Sequence, residues 1–285
     1  MKKVLLVAVF ALGILSATAQ DKKEAPKNGW KKGGTFTFLL NQSAFSDWVA
    51  GGENTIAGNL GVNYDFNYLK DDFTWDNKII LAYGISNTET NGTRKTDDRI
   101  EWNSLMGKKA KGNWFYSYFF NFKTQFTDGY DYKADPTASF PVSKLFAPAY
   151  ITTGPGMLWK KSDNLKVNIS PLAAKIIYVG DNTLSAAGAY GVDPGDKTRF
   201  ELGFNLGAYY KATIAKNVTM ENTLNLYSNY LDKPQNMDID YLANFVMPIN
   251  KHLNTTVSFH AIYDDNAFKG LQIMEVFGLG FNYNF

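Results

Sequence analysis

The sequence predicts an all-β fold, a transmembrane antiparallel up-and-down β-barrel of about twelve strands. Three observations lead to this prediction. Apolar and polar residues alternate with period two in many segments, and the connections between those segments alternate between short and long. Aromatic residues make up 15% of the chain, yet nothing after the first twenty residues is long and apolar enough for a membrane-spanning helix.

The alternation is clearest at the C-terminus. From Leu271 to Phe285 every second residue reads Leu, Ile, Glu, Phe, Leu, Phe, Tyr, Phe, and the other register is mostly small or polar. Only a strand presents a period-two pattern as two distinct faces. The same pattern recurs over 60–68, 73–86, 114–126 and 200–210. Because charged residues cannot face hydrocarbon cheaply, we expect the charged register to face the lumen.

The strands are predicted near 35–41, 54–68, 72–86, 98–109, 113–127, 149–161, 165–179, 199–213, 217–231, 236–248, 252–264 and 271–285. Pro155 and Pro171 interrupt the sixth and seventh strands, which predicts bulges or strand ends there. In the tenth strand, residues 241–249 are apolar in both registers, so which of them face the lumen stays open.

The connections predict an orientation. Short turns at 70–71, 110–112, 163–164, 215–216 and 250–251 alternate with longer links, which are 42–53, 87–97, 128–148, 180–198, 232–235 and 265–270. Outer-membrane barrels have short periplasmic turns and longer external loops, so we expect both termini in the periplasm. The strands of a soluble β-sandwich also alternate between apolar and polar residues, but strands of about fifteen residues are longer than those of a typical β-sandwich.

The N-terminal residues indicate export. Lys2 and Lys3 precede an apolar run from Val4 to Leu15, followed by a small-residue cleavage signature ending at Ala19. This order predicts a signal peptide over 1–19. Residues 20–34 are rich in lysine and glycine, which predicts a flexible periplasmic segment or, as the alternative, a short lumenal plug. The barrel is then predicted over 35–285.

Composition excludes several classes of protein. The net charge of +2 lacks the basic excess of a nucleic-acid-binding protein. Without cysteine and with two histidines, a structural zinc site is not expected, and no cofactor is predicted. Acidic residues at predicted loop ends could bind calcium through oxygen ligands, although scattered solvated carboxylates are commoner. These residues are Asp97, Asp98, Asp193, Asp264 and Asp265.

Charged residues of both signs in the inward register are the candidate lumen lining. They are Asp65, Asp76, Lys78, Arg99, Glu101, Lys123, Glu201, Glu221 and His260. They would line a polar passage, which makes a porin-like protein for small polar solutes the leading hypothesis. Paired with one another they would close the interior, which makes a structural barrel that binds other envelope proteins the alternative. Mixed signs argue against strong ion selectivity.

A serine–histidine pair and a tryptophan-containing loop are two further candidate sites. Ser258 and His260 share the inward register, which raises the hypothesis of an outer-membrane lipid hydrolase. Such an enzyme needs its nucleophile towards the lipid, and no oxyanion element is readable, so we do not expect an enzyme. The loop around Trp48, Gly51, Gly52 and Glu53 is predicted to fold into the barrel mouth or to bind a partner.

Several motifs resemble those of a family of Bacteroidota outer-membrane barrels catalogued only as a domain of unknown function. The motifs are FSDWVAGGEN (45–54), RKTDDR (94–99), KTQF (123–126), APAY (147–150), GAYGVDPG (188–195), NYLDKPQN (229–236) and IYDD (262–265). The resemblance implies an outer-membrane location among lipids and insertion by the barrel-assembly machinery, helped by the aromatic C-terminus. It implies no catalytic residue.

Overall fold

The computed structural model describes residues 28–46, 52–264, 266 and 268–285, with the backbone alone for 268 and 269. These residues form twelve strands that close into one antiparallel barrel, so the predicted fold is confirmed. The strands are β1 Gly29–Ser43, β2 Thr55–Lys70, β3 Phe73–Thr88, β4 Gly92–Lys111, β5 Trp114–Thr124, β6 Ala149–Ser162, β7 Leu165–Tyr178, β8 Thr198–Ala215, β9 Val218–Asn229, β10 Asp238–Pro248, β11 Leu253–Asp264 and β12 Phe268–Asn284. The predicted signal peptide lies outside the described residues.

Each strand pairs with its neighbours in the chain, and β1 pairs with β12 to close the barrel. One end of the barrel, here called the terminal end, holds the short turns together with Gly29 and Phe285. Left-handed residues form these turns, with φ near 50° at Asp71 and 60° at Asn217. The opposite end, the loop end, holds the connections 125–148 and 179–197.

The first strand begins earlier than predicted. β1 starts at Gly29, and its first residues, predicted to be a flexible segment, pair with β2 from Gly29 opposite Leu69 onward. These first residues are held in the strand by the Trp30 ring, which packs between Tyr68 and Trp75 at centroid distances of 5.1 and 5.8 Å. Aromatic packing of this kind stabilises an overhanging strand beyond its backbone hydrogen bonds.

The predicted long link over 87–97 is wrong. β3 runs on to Thr88 and β4 starts at Gly92, so only residues 89–91 connect them. Residues 94–98 are mostly charged and show no apolar face, so the alternation criterion did not assign them to a strand. A strand segment that does not contact hydrocarbon needs no apolar face. Thr93 instead accepts a hydrogen bond from Asn87 across the hairpin, at 2.8 Å.

Bulges occur at both proline positions, as predicted. The register between β6 and β7 shifts between Thr153 and Met157, and that between β7 and β8 shifts between Ser170 and Ala173. Pro155 and Pro171 fall inside these shifts. Residues at a bulge are not paired with the neighbouring strand there, so the missing backbone N–H of proline removes no inter-strand hydrogen bond. In β10 the side chain of Asp240 reaches Lys123 inside the barrel, which places even-numbered residues inward and Tyr241 outward.

The outward register is apolar and largely exposed. Its exposed members include Trp30, Phe38, Ile56, Trp114, Phe200, Ile273 and Phe277. Over β7–β11 the outward residues also bury one another, with small Ala208, Ala243 and Ala261 between Tyr210 and Tyr241. A closed barrel satisfies its backbone groups within the sheet, which lets such a surface face hydrocarbon.

The connection 179–197 contains a short helix that the sequence did not predict, α1 Asn182–Ala186. Asp181 caps α1 by accepting hydrogen bonds from the backbone N–H groups of Thr183 and Leu184. Among the described residues, none of the helices has the length and apolar character of a membrane span.

Candidate functional site

The barrel interior brings most of the predicted lumen residues into ion pairs between different strands. Asp76, Lys78, Lys123, Glu201, Glu221 and His260 each contact an oppositely charged or titratable partner within 4.0 Å. Glu101 accepts hydrogen bonds from Asn103 and Asn121. For Asp65 and Arg99, no ion-pair partner lies within that distance among the described residues. The interior pairs form one layer near each end of the barrel.

In the layer near the terminal end, one ion pair crosses the lumen. Lys78 Nζ on β3 lies 3.6 Å from Glu221 Oε1 on β9. Because β3 and β9 stand six places apart in a ring of twelve strands, these side chains come from opposite walls. Lys211 of β8 also approaches Glu221, at 3.4 Å. Long charged side chains therefore bridge the lumen at this level.

The same layer contains a second cluster around Asp76. The Asp76 carboxylate on β3 receives Lys160 Nζ of β6 at 3.1 Å and Lys166 Nζ of β7 at 3.0 Å. Their side chains are mostly buried, with Lys160 13% and Asp76 14% exposed. Removing one member of such a cluster leaves an uncompensated charge, which is far more costly than the pairing is stabilising.

In the layer near the loop end, Asp240 is the central acceptor. Lys123 Nζ of β5 lies 2.5 Å from Asp240 Oδ2, although five strand positions separate β5 from β10. His260 Nε2 of β11 lies 2.9 Å from the other Asp240 oxygen. Asp240 thus orients the imidazole and holds the lysine at once, so this layer also bridges two distant walls.

Lys175 organises the remaining charges of this layer. Its Nζ lies 2.9 Å from Asp238, 3.7 Å from Asp264 and 3.8 Å from Glu201. It also lies 4.9 Å from the ring centroid of Tyr227, within cation–π range. Glu201 is 1% exposed and receives the Arg199 Nε at 2.9 Å as its second cation. Burying a charge this deeply is costly unless such partners compensate it.

Above this layer, the two long connections pack together over the mouth. Ala147 from 125–148 and Val192 from 179–197 form a buried apolar cluster with Ile177 and Val179. Arg94 stacks over Tyr132, with its Cζ 4.4 Å from the ring centroid. Connection 125–148 therefore reaches from the β4 side of the mouth to the β7–β8 side.

Polar contacts join the two connections as well. Lys144 Nζ lies 2.9 Å from Asp181 Oδ2, and this hydrogen bond is the main reason that the pKa of Asp181 lies below, and that of Lys144 above, its ordinary value. The Tyr190 hydroxyl donates to the carbonyl of Val142 at 2.6 Å, and burial raises the pKa of Tyr190 to about 12. The two connections are thus held to each other at several points on the β4–β8 side of the loop end.

The predicted lumen lining lacks eight charged members of the two layers, which are Lys160, Lys166, Lys175, Arg199, Lys211, Asp238, Asp240 and Asp264. Period-two counting fails in β7 because the bulge at Pro171 adds residues, so Lys166 and Lys175 both face inward despite their odd separation. In β10 both registers are apolar further along the strand. The only sequence signal for the facing of β10 was the pair Asp238 and Asp240 at its start, which are two residues apart and therefore lie on the same face.

The predicted plug loop is described in part. Trp48 and Gly51 lie outside the described residues. Gly52 has φ of 144°, and the Phe45 ring, 2.7 Å from the position of an added Cβ, occupies the space a side chain would need. Glu53 accepts the Thr90 backbone N–H at 2.5 Å, which ties this loop to the neighbouring β3–β4 turn. An inward fold or a partner surface stays a prediction.

Of the residues behind the hydrolase and calcium hypotheses, His260 and Asp98 have other partners, and Asp265 lies outside the described residues. His260 Nε2 contacts Asp240, and among the described residues no hydroxyl is hydrogen-bonded to the imidazole as a nucleophile would be. The Asp98 carboxylate accepts the backbone N–H groups of Phe126 and Thr127 and pairs with Lys95. In the described part of the chain, no group of three or more His, Asp or Glu is placed to hold a metal ion.

These features define a closed twelve-stranded barrel with an apolar exterior and an ion-paired interior. Residues 40–130 match the family described as "Protein of unknown function (DUF3078)". The predicted resemblance to a family catalogued only as a domain of unknown function is confirmed over this stretch, and the Bacteroidota origin stays a prediction. No curated protein matches the chain.

Several solved structures align weakly with the chain. An outer membrane channel from Pseudomonas putida F1 has a TM-score of 0.40 at 10% identity, covering 94% of this chain and 99% of that one. The translocator domain of the autotransporter NalP from Neisseria meningitidis scores 0.36 at 10% identity, covering 100% and 95%. The outer membrane channel DcaP of Acinetobacter baumannii scores 0.33 at 12% identity, covering 90% and 96%. The fold assignment rests on the strand pairing of this chain itself.

Proposed function

We propose that the protein is an outer-membrane barrel whose lumen is closed at rest and which acts through its external loops on other envelope proteins. The observation that carries this proposal is the contact between Lys78 and Glu221, whose side chains meet from opposite walls. Lys123 and Asp240 repeat the arrangement nearer the loop end, and the two long connections pack against each other beyond them.

An outer-membrane location is part of the proposal. It is supported by the exposed apolar exterior, with aromatic residues such as Trp114, Tyr116 and Tyr283 near the terminal end, as in interface girdles. We place the terminal end in the periplasm and the loop end outside. Because the chain has no cysteine, single cysteines at Thr137 and Asn164 can be labelled in intact cells. Labelling at Thr137 alone is expected, and labelling at Asn164 alone would reverse the orientation.

A porin-like passage for small polar solutes is the second candidate. It is favoured by the partial exposure of the bridging side chains, 31% for Lys78 and 26% for Glu221, which leaves water access beside the bridge. A barrel of about twelve strands lies between those that side chains fill and those that enclose a channel, so strand number does not decide.

Conductance of the purified protein in a planar lipid bilayer tests the proposal. A closed barrel gives no steady conductance steps, and liposomes containing it do not swell in small sugars. Steady steps together with swelling would overturn the closed barrel in favour of the passage. An established twelve-stranded porin, inserted by the same protocol, shows that silence is not failed insertion.

A further inference from the structure

A polar cavity with a volume of about 230 Å³ lies at the loop end, between the end of β4 and connection 125–148. All of its lining side chains are polar or charged. They are Lys95, Thr96, Asp97 and Asp98 from β4, and Gln125 and Ser143 from the connection. Two of the sequence motifs, RKTDDR (94–99) and KTQF (123–126), therefore meet around one space. The lining shares no residue with the two ion-paired layers.

Contacts within the protein hold the two walls of this cavity together. The Asp98 carboxylate accepts the backbone N–H groups of Phe126 and Thr127, which ties β4 to the start of the connection. Lys95 Nζ donates to Asp98 at 2.7 Å and to the carbonyl of Thr127 at 2.9 Å. A ligand therefore does not have to order these side chains when it binds, which favours affinity.

Gly129 gives the cavity its space on the side of the connection. Its N–H donates to the Ser143 carbonyl at 2.8 Å, and its own carbonyl accepts the Val142 N–H at 2.8 Å, so the two arms of the connection lie side by side. A Cβ at Gly129 would collide with Ser143 Oγ and would lie 3.4 Å from Lys95 Nζ. Glycine at this position leaves room for a hydroxyl and an ammonium group that both line the cavity.

The lining can both donate and accept hydrogen bonds. Lys95 has three ammonium hydrogens, and its two contacts with the protein use two of them. Gln125 Nε2 donates to the carbonyl of Lys144, which leaves Oε1 of the same amide as an acceptor. The Asp97 carboxylate adds further acceptors, and the Ser143 hydroxyl can act in either role. A ligand that suits this lining carries several groups that donate and accept at once, as hydroxyl groups do.

Charge and size narrow the class of ligand. Lys95 and Asp98 form an ion pair, so Asp97 leaves the lining with one net negative charge. This charge disfavours phosphate, sulfate and carboxylate groups, and the lysine disfavours a cation. Sites for drug-sized ligands have volumes of about 300–1,000 Å³, so this smaller cavity suits a single small ring.

Two tyrosine rings are connected to both walls of the cavity. Tyr130 directly follows Gly129, and its ring centroid lies 6.0 Å from that of Tyr132. Tyr132 stacks with Arg94, the residue before Lys95, at 4.4 Å. A sugar ring has an apolar C–H face and a polar edge, so it packs against aromatic side chains while its hydroxyls bind polar ones.

We propose that this cavity binds a neutral pyranose, either as a free sugar or as the end unit of a glycan chain. Asp97 and Gln125 accept hydrogen bonds from the hydroxyls of the sugar, and Lys95 donates one to it. The C–H face of the ring lies towards Tyr130. This site goes beyond the proposed function, because it requires neither a closed lumen nor a partner protein.

Saturation-transfer NMR on the purified protein in a polyoxyethylene detergent tests the site. The probes are the methyl glycosides of glucose, galactose, mannose and N-acetylglucosamine. At least one is expected to bind with a dissociation constant on the order of 1 mM, and its uronic acid counterpart at least about tenfold more weakly. Binding by none of the four, or equal binding of the uronic acid, would overturn the proposal. Stronger binding of the glycoside than of its reducing sugar would identify a glycan end as the source, and the reverse a free sugar.

Two variants with matched controls place the binding in this cavity. Asp97→Asn keeps the size of the side chain and is expected to weaken binding at least about tenfold, because the charge-assisted hydrogen bonds are lost. Asp193→Asn, an exposed change in the other long connection, is expected to bind normally. Ser143→Leu fills the cavity and is expected to abolish binding, whereas Ser139→Leu, exposed in the same connection, leaves it unchanged. Circular dichroism confirms that each variant is folded. Equal binding within either pair of folded variants would exclude the cavity as the site.

Discussion

Lys78 Nζ lies 3.6 Å from Glu221 Oε1 although their strands stand on opposite sides of the barrel. Two side chains that meet from opposite walls fix the free width of the lumen at that level. The contact is longer than a hydrogen bond and partly exposed, so it is a bridge that water can weaken. Its opening, together with that of the Lys123–Asp240 pair nearer the loop end, would be needed to turn a closed barrel into a conducting one.

Removing the bridges of both layers is expected to produce conductance. Glu221→Gln takes away the carboxylate that holds both Lys78 and Lys211, and Asp240→Asn takes away the negative charge that holds Lys123. We expect this double variant to show steps in planar bilayers that the wild type lacks. Lys216→Met, an exposed change in the β8–β9 turn, is the control and stays silent. If the double variant and the control are equally silent, another element closes the lumen.

Asp240→Asn is expected to destabilise the barrel by about 1–3 kcal/mol, because it removes the negative charge that pairs with Lys123 and replaces one of the two acceptor oxygens by an NH₂ donor. Denaturant unfolding followed by tryptophan fluorescence measures this loss. The double variant Asp240→Asn with Lys123→Met is expected to regain part of it, since no unpaired cation remains. Simple addition of the two losses would show that the residues do not interact.

Gly203→Ala is expected to cost about 1–3 kcal/mol of unfolding free energy. An added Cβ would collide with the backbone carbonyl oxygen of Ser228, which cannot move without breaking the pairing of β8 and β9. Gly207→Ala, four residues along the same strand, is the matched control, because the nearest atom there is Asn225 Oδ1 at 3.4 Å. Equal stability of the two variants would contradict this packing.

The contact between the two long connections is expected to loosen in acid. The pKa of Asp181 is lowered chiefly by its hydrogen bond with Lys144, so its contribution is present above the ordinary carboxyl pKa of about 4 and is lost as the pH falls through the lowered value. Hydrogen exchange of residues 182–186, corrected for intrinsic rates, should quicken below about pH 4. Lys144→Met should reduce this pH dependence, because only the cap bonds from Thr183 and Leu184 then favour the Asp181 carboxylate, and Lys133→Met should leave it unchanged. Unchanged protection from pH 7 to pH 3 would contradict the role of this pair.

For the barrel interior, the sequence predicted which residues face inward but not which of them contact one another. Alternation placed Lys78, Glu201 and Glu221 on the inward face of their strands, because a charge facing hydrocarbon is too costly. It could not tell which charges meet, because partners such as Lys123 and Asp240 are 117 residues apart in the chain. The partner of His260, Asp240 on the neighbouring strand, was missed because the facing of β10 was left open. The bulge at Pro171 shifted the register that Lys175 would otherwise have shown.

The sequence by itself determined the barrel, its twelve strands and, outside β7 and β10, the side of each strand that faces the lumen, because these follow from local alternation and from turn residues. It did not determine the starts of β1 and β4, which depend on packing against strands already formed. Only the tertiary structure decided that the interior is bridged, that two connections join at the loop end, and that β4 and connection 125–148 form a polar cavity. Those properties depend on distances between residues far apart in the chain, which closure of the sheet alone sets.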